Sequence, residues 1–98
     1  MTENLRSKLF KEQDKLPWKE LARHHAFGRL VLVKGKLDLL DVAEAMAADN
    51  TPKIRSWMEE EVFGTPSDQE AKDFAIDPNK EFVVNIISPF VIAKESLS

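Results

Sequence analysis

Two adjacent histidines, His24 and His25, are the side chains best suited to catalysis or metal binding. Neighbouring residues on a helix point about 100° apart, so the two rings cannot hold one metal ion as an i, i+4 pair does. His25 falls on an apolar helical face, where we expect a core or boundary histidine with one hydrogen bond, whereas we expect His24 to be exposed. A small hydrolase or isomerase that uses either ring is one alternative among the functional hypotheses.

The composition of the 98 residues excludes most other site chemistry. Because the chain contains no Cys, it has no disulfides, thiolate zinc sites, iron–sulfur clusters or thiol nucleophiles. Its three glycines, Gly28, Gly35 and Gly64, are too scattered to form a phosphate-binding loop, and no Gly-x-Ser-x-Gly motif occurs. We therefore predict no cofactor, no metal and no catalytic activity.

The net charge of −3 conceals a segregation along the chain. Residues 1–37 carry nine basic and four acidic side chains, residues 38–73 carry three and ten, and residues 74–98 carry two and three. The net charges are therefore +5, −7 and −1. Such asymmetry is typical of a chain that meets an anionic partner, but two halves that face each other would produce it as well.

The basic front of the chain carries the leading functional hypothesis. Lys8, Lys11 and Lys15 share one stripe of a predicted helix, and Arg23 follows on the next. We predict that these four residues contact a macromolecular partner, either a protein or RNA and the ribosome, without catalysis. Two other interpretations remain open, namely a solvated helix face and internal pairing with the acidic run Glu59-Glu60-Glu61.

A helix–turn–helix is the alternative hypothesis. The segment 42–46, a short break and the segment 54–57 have the spacing of a bracing helix followed by a recognition helix. Lys53 and Arg55 would then contact nucleic acid. Against this, Asp49 lies beside the second helix, which finishes in the three glutamates, and a DNA site should be net positive.

Hydrophobic spacing predicts the elements that position these residues. Leu5, Leu9 and Leu16 indicate a helix from Glu3 to Lys15, and Pro17 begins a second helix that stops at Gly28. The remaining predicted elements are a strand over 29–33, a helix capped by Asp38, a helix capped by Thr51, a short strand at 62–63, a helix opened by the capping box Ser67–Glu70, and a strand over 82–87. Pro89 interrupts this strand, and residues 90–92 continue it as a strand or an extended tail.

This order predicts a single α+β domain over residues 1–98, with about five helices packed on a small, mainly antiparallel sheet (α-α-β-α-α-(β)-α-β). No apolar run approaches the roughly 18 residues of a membrane helix, and the N-terminus does not have the pattern of a signal peptide. We expect a cytoplasmic protein without membrane contact. The oligomeric state stays open, because the apolar segment 82–92 can lie at a sheet edge or in the centre.

Several short pieces, in this order and spacing, resemble a bacterial family catalogued as a domain of unknown function. The pieces span residues 5 to 95 and are Trp18-Lys-Glu-Leu21, Ala26-Phe-Gly-Arg-Leu30, Leu37-Asp-Leu39, Val42-Ala-Glu-Ala-Met-Ala47 with Asp49, Trp57, and Pro89-Phe-Val91. His25 stands where the pattern has Phe, and Phe90 stands where it has Trp. The resemblance implies a small cytoplasmic bacterial protein and no particular reaction.

Overall fold

The computed structural model describes residues 4–96 and contains five helices and five strands. The helices are α1 (Leu5–Lys11), α2 (Trp18–Ala26), α3 (Leu39–Ala47), α4 (Thr51–Glu59) and α5 (Asp68–Ile76). The strands are β1 (Asp14–Pro17), β2 (Leu30–Val33), β3 (Phe63–Gly64), β4 (Glu81–Ile87) and β5 (Phe90–Glu95). All five strands belong to one sheet in the order β1-β4-β5-β2-β3.

The sheet is mixed, with one parallel pair. Strands β1–β4, β4–β5 and β2–β3 pair antiparallel, whereas β2 and β5 run parallel with Leu30 opposite Val91 and Leu32 opposite Ala93. This architecture confirms the predicted α+β class and the mainly antiparallel sheet.

Helices cover both faces of the sheet, because the side chains of β4 alternate between two apolar clusters. Phe82 and Val84 join Trp18 and Leu21 in a cluster under α2 and α5. Val83 and Ile87 pack instead against a second cluster, whose members come from the sheet and from α1, α3 and α4: Leu9, Val33, Leu39, Val42, Ala43, Phe63, Ile92, Ile54 and Trp57. The near-continuous apolar run of β4 is explained by burial on both faces, as predicted.

The helix starts largely follow the predicted capping residues. The Asp38 carboxylate accepts a hydrogen bond from the Leu40 N–H (3.0 Å), and Ser67 and Glu70 form the reciprocal capping box at the start of α5. The prediction for α4 was wrong by one residue: Asn50 caps this helix through the Lys53 N–H (3.4 Å), and Thr51 is its first residue.

The predicted helix from Glu3 to Lys15 was wrong beyond Lys11. Residues 14–17 form the edge strand β1 instead, with Lys15 opposite Val83 and Leu16 opposite Phe82. The physical reason lies in Pro17, because a proline ring clashes with a helical conformation of the residue before it and favours an extended one. Leu16 therefore contributes to the core from a strand rather than from a helix stripe. Residues 1–3, where the predicted helix begins, lie outside the described range.

Candidate functional site

One end of the sheet brings together the turn between β4 and β5, the start of β2 and the end of α2. The Val91 N–H donates to the Arg29 carbonyl (2.9 Å), which places Arg29 beside Phe90. On β4, Ile86 lies opposite Val91. We define the hairpin-end surface as Arg23, Phe27, Arg29, Ile86 and Phe90. These residues meet at one end of the sheet and reach both of its faces, because Ile86 points to the side that α2 covers and Phe90 points to the side of Ile87 and Ile92.

The end of α2 holds Phe27 and Arg29 in fixed positions through a Schellman motif. The Gly28 N–H donates to the His25 carbonyl and the Arg29 N–H to the His24 carbonyl, both at 2.9 Å. The motif requires a left-handed residue after the cap, and Gly28 supplies it with φ of +70°. Phe27 and Arg29 therefore leave the helix in defined directions.

The apolar side chains of the hairpin-end surface are exposed to an unusual degree. Phe27 is 67% exposed, Ile86 63% and Phe90 40%. The guanidinium of Arg29 lies over the Phe27 ring, 5.4 Å from its centroid. Aromatic and arginine side chains are the residue types enriched in protein interfaces, and exposed apolar groups at one end of a fold mark interaction surfaces.

The same end is free of nearby carboxylates along the chain. Residues 21–37 and 82–94, which include the segments at this end, contain no Asp or Glu. Neither Arg23 nor Arg29 has an ion-pair partner among residues 4–96. Both guanidinium groups are thus available to an anionic group of a partner.

The structure divides the predicted basic face between the two sides of the sheet. Lys8 and Lys11 lie on α1, and Lys15 lies on β1 opposite Val83, a residue of the cluster that α1 covers. Arg23 lies on α2, which covers the opposite side. The prediction that the three lysines share a helix stripe is therefore wrong, because α1 ends at Lys11. Their role in binding a partner stays a prediction.

Internal charge pairing across the two halves does occur, but through a residue that sequence reasoning missed. Arg6 of α1 contacts Asp38, Asp41 and Glu44 of α3, at 3.2, 2.8 and 2.7 Å. The hydrogen bonds to Asp41 and Glu44 raise the pKa of Arg6. The exposed run Glu59-Glu60-Glu61 takes part in no ion pair of the described chain. Recurring carboxylates at 38, 41 and 44 were the signal for this contact.

The helix–turn–helix residues lie on the outer face of α4. Lys53 and Arg55 are exposed, while Ile54 and Trp57 face the sheet cluster. The exposed glutamates 59–61 follow at the end of the same helix, and Asp49 precedes it with φ of +55°. Nucleic-acid binding through α4 stays a prediction, and the charge around the helix opposes it.

The histidines occupy a boundary rather than a pocket. His25 is half-buried beside Trp18, with ring centroids 6.2 Å apart, as predicted, but its Nδ1 is buried without the expected hydrogen bond. His24 is half-buried rather than exposed; α2, on which it lies, packs against β2. Within residues 4–96 neither ring donates to or accepts from another side chain, so no orienting partner for a general base is present there.

At the opposite end of the sheet, Lys34 and Glu70 form a partly buried ion pair at 2.7 Å. Burial alone would raise the pKa of Glu70. Hydrogen bonds from Lys34 and from the Ser67 backbone N–H, together with the Lys34 charge, outweigh burial, and the net pKa lies below 4.5. The ionised carboxylate thus anchors both the start of α5 and the Lys34 ammonium.

This pair predicts a pH-dependent stability difference for Glu70→Gln. Glutamine can keep the capping box but not the charge, so we expect a loss of about 0.5 kcal/mol near neutral pH. Folding lowers the pKa of Glu70 below its ordinary value of 4.5. The Glu70 charge therefore stabilises the folded state fully above pH 4.5, and this stabilisation disappears as the pH falls through the lowered pKa. Urea unfolding at about pH 7 and about pH 3 measures this difference.

The control for Glu70→Gln is Asp73→Asn on the same helix. Asn can still accept the hydrogen bond that Gln69 donates to Asp73 (3.0 Å), and Asp73 has no ion pair within the described range. We expect no comparable pH-dependent difference for this variant. A loss for Glu70→Gln that persists unchanged at low pH would contradict the assigned role of the charge.

Two kinds of feature are not found in the part of the chain that the structure describes. None of its helices, the longest of nine residues, has the length and apolarity to cross a bilayer. No group of three or more His, Asp or Glu side chains between residues 4 and 96 is arranged to hold a metal ion.

The fold defines the class of protein: a small α+β domain with a five-stranded mixed sheet covered by helices on both faces. The chain belongs to the family described as "Protein of unknown function (DUF2288)", whose model matches residues 4–95. This membership confirms the family resemblance seen in the sequence. The fold is also similar to the NMR solution structure of PA1075 from Pseudomonas aeruginosa, with 32% identity and a TM-score of 0.80, covering 100% of this chain and 90% of that one. No curated protein matches the chain.

Proposed function

We propose that this protein is a non-catalytic binding protein that uses the hairpin-end surface to hold a protein partner with acidic and apolar contact groups. The observation that supports the proposal is the coincidence of two unpaired arginines with three exposed apolar side chains, in chain segments without carboxylates. Ile86 and Phe90 supply apolar area, and Arg23 and Arg29 supply charge for a carboxylate.

The proposal keeps the predicted class of function, a non-catalytic binding protein, but assigns the binding to a different surface. Of the four residues predicted from the basic front, only Arg23 belongs to the hairpin-end surface. The α1 side carries carboxylates among its lysines, namely Glu12, Asp14 and the three acids around Arg6. A mixed surface of this kind attracts an anionic partner less than the carboxylate-free end does.

Site-specific photo-crosslinking tests the proposal. p-Benzoylphenylalanine replaces Phe27 or Phe90 in the native cells, and Phe10 serves as the matched control because it is also an exposed phenylalanine, 62% accessible, on α1. We expect discrete protein adducts from positions 27 and 90 and none from position 10. With the purified partner, Arg29→Glu should lower the affinity about tenfold or more, with a steep salt dependence.

Three results would contradict the proposal. Adducts from position 10 alone would favour the α1 side with Lys8, Lys11 and Lys15. Adducts that disappear on RNase treatment would favour the RNA alternative. If the adducts at position 27 formed unchanged in Arg29→Glu, the positive charge of Arg29 would have no role in binding the partner.

A further inference from the structure

A cavity of about 310 Å³ lies at the end of the sheet opposite the hairpin-end surface. We call it the strand-end cavity. It is lined by the final residues of β2 and β5 and by one face of α5, with five side chains that matter here: Leu32, Lys34, Glu70, Phe74 and Glu95. Because β2 and β5 are parallel neighbours, their carboxyl ends meet at this point, which is where ligand crevices form beside parallel strands. The volume is at the lower end of the range for ligand sites, so the ligand is small.

One ammonium group with spare donors lines the cavity. Lys34 Nζ is held by Glu70, whose second oxygen accepts from the Ser67 N–H at 3.0 Å. The side chain of Lys94 alternates to the other face of the sheet, where its Nζ donates to the Leu37 carbonyl. The Lys34 ammonium has three N–H groups and uses one in its contact with Glu70, so it is fixed in place with donors left for an anionic oxygen.

The other walls supply a negative charge and an apolar surface. Glu95 contacts Lys80 at 3.5 Å only, a longer and weaker pairing than the 2.7 Å between Lys34 and Glu70. Phe74 and Leu32 form the apolar wall, backed by the rings of Trp18 and Phe82. The cavity thus offers one ammonium group, one loosely held carboxylate and an apolar wall.

We propose that the strand-end cavity binds a free α-amino acid with an apolar side chain. Lys34 holds the ligand carboxylate, Glu95 holds the ligand ammonium, and the ligand side chain packs against Phe74 and Leu32. This binding is separate from the proposed partner binding, since none of these residues belongs to the hairpin-end surface.

Three ligands that differ by one group each test the proposal on the full chain. They are L-leucine, 4-methylpentanoate, which lacks the ammonium, and 3-methylbutylamine, which lacks the carboxylate. In titrations of the 15N-labelled protein we expect leucine to shift the backbone amides of Lys34, Gly35, Glu70 and Glu95 in a saturable manner. The two truncated ligands should bind about tenfold more weakly or not at all.

Matched variants assign the contacts. Lys34→Met should lower the affinity for leucine about tenfold, while Lys36→Met, an exposed lysine outside the cavity lining, should change it by less than about twofold. Glu95→Gln should reduce leucine binding to the level of 4-methylpentanoate. The proposal is overturned by any of three results: no saturable shifts with leucine, equal binding of leucine and 4-methylpentanoate, or equal losses in Lys34→Met and Lys36→Met.

Discussion

Replacing Asn85 with Asp should destabilise the protein strongly, and by an amount that grows with pH. Asn85 is 1% exposed, its Nδ2 donates to the Leu9 carbonyl (2.8 Å), and its Oδ1 is buried without a partner. An ionised carboxylate at this position would be buried and would face the Leu9 carbonyl oxygen, which is also an acceptor. We expect it to lower the free energy of unfolding by about 3 kcal/mol or more. Urea unfolding as a function of pH measures the effect.

The sign of the pH dependence follows from burial. Desolvation raises the folded-state pKa of the new Asp above its unfolded value of about 3.9, because burial disfavours the charged form. The pKa is raised further because only the protonated form can donate a hydrogen bond to the Leu9 carbonyl. The variant is therefore least destabilised at low pH and loses stability as pH rises from the unfolded pKa to the folded pKa. A loss that does not vary with pH would contradict this assignment.

Asn85→Leu is the control, because it keeps most of the volume without any charge. The Leu9 carbonyl keeps the Glu12 N–H as a donor at 3.2 Å, and the unpartnered Oδ1 disappears. We expect a change within about 1 kcal/mol. If Asn85→Leu lost as much stability as Asn85→Asp, buried charge would not be the cause.

Phe82→Ala should cost about 3–5 kcal/mol of unfolding free energy, the second large effect we expect. Phe82 is fully buried near the start of β4, in edge contact with the Phe74 ring (centroids 5.1 Å apart), and its centroid lies 6.1 Å from that of Trp18. Removing its ring leaves a cavity between β4 and the helices α2 and α5, and it also removes two aromatic contacts. Equilibrium urea unfolding measures the loss.

The matched control for Phe82→Ala is Phe90→Ala on the neighbouring strand. Phe90 is 40% exposed, so its truncation should cost about 1 kcal/mol or less, while the proposed partner binding weakens. The pair of variants thus separates core packing from surface contact. Equal losses of stability in the two variants would contradict the burial that the structure assigns to β4.

Much of the fold follows from local sequence signals. The capping box at Ser67, the cap at Asp38 and the apolar run of β4 each predict the observed element, because their physics acts within a few residues. The strand β1 did not follow from local spacing. Leu16 fits a helical stripe equally well, and only its pairing with Phe82, far along the chain, shows the strand.

The candidate site was harder to predict than the fold for a related reason. Lys8, Lys11 and Lys15 were grouped by helix spacing, which fails once the helix ends at Lys11. Phe27 and Phe90 lie far apart in sequence, and only the parallel pairing of β2 with β5 brings them to one end. The lack of carboxylates in residues 21–37 and 82–94 was visible in the sequence, but its importance depends on that pairing.

The parallel pairing also dictates the order in which the domain can assemble. β4 and β5 are joined by a short turn and can pair early, whereas Leu30 meets Val91 across 60 residues of intervening chain. Closing so long a loop costs entropy before any contact repays it, so β2 joins late and folding is slowed. Until β5 is in place, the apolar faces of α2 and α3 have no complete sheet to cover. This interval is when newly made chains are most exposed to aggregation.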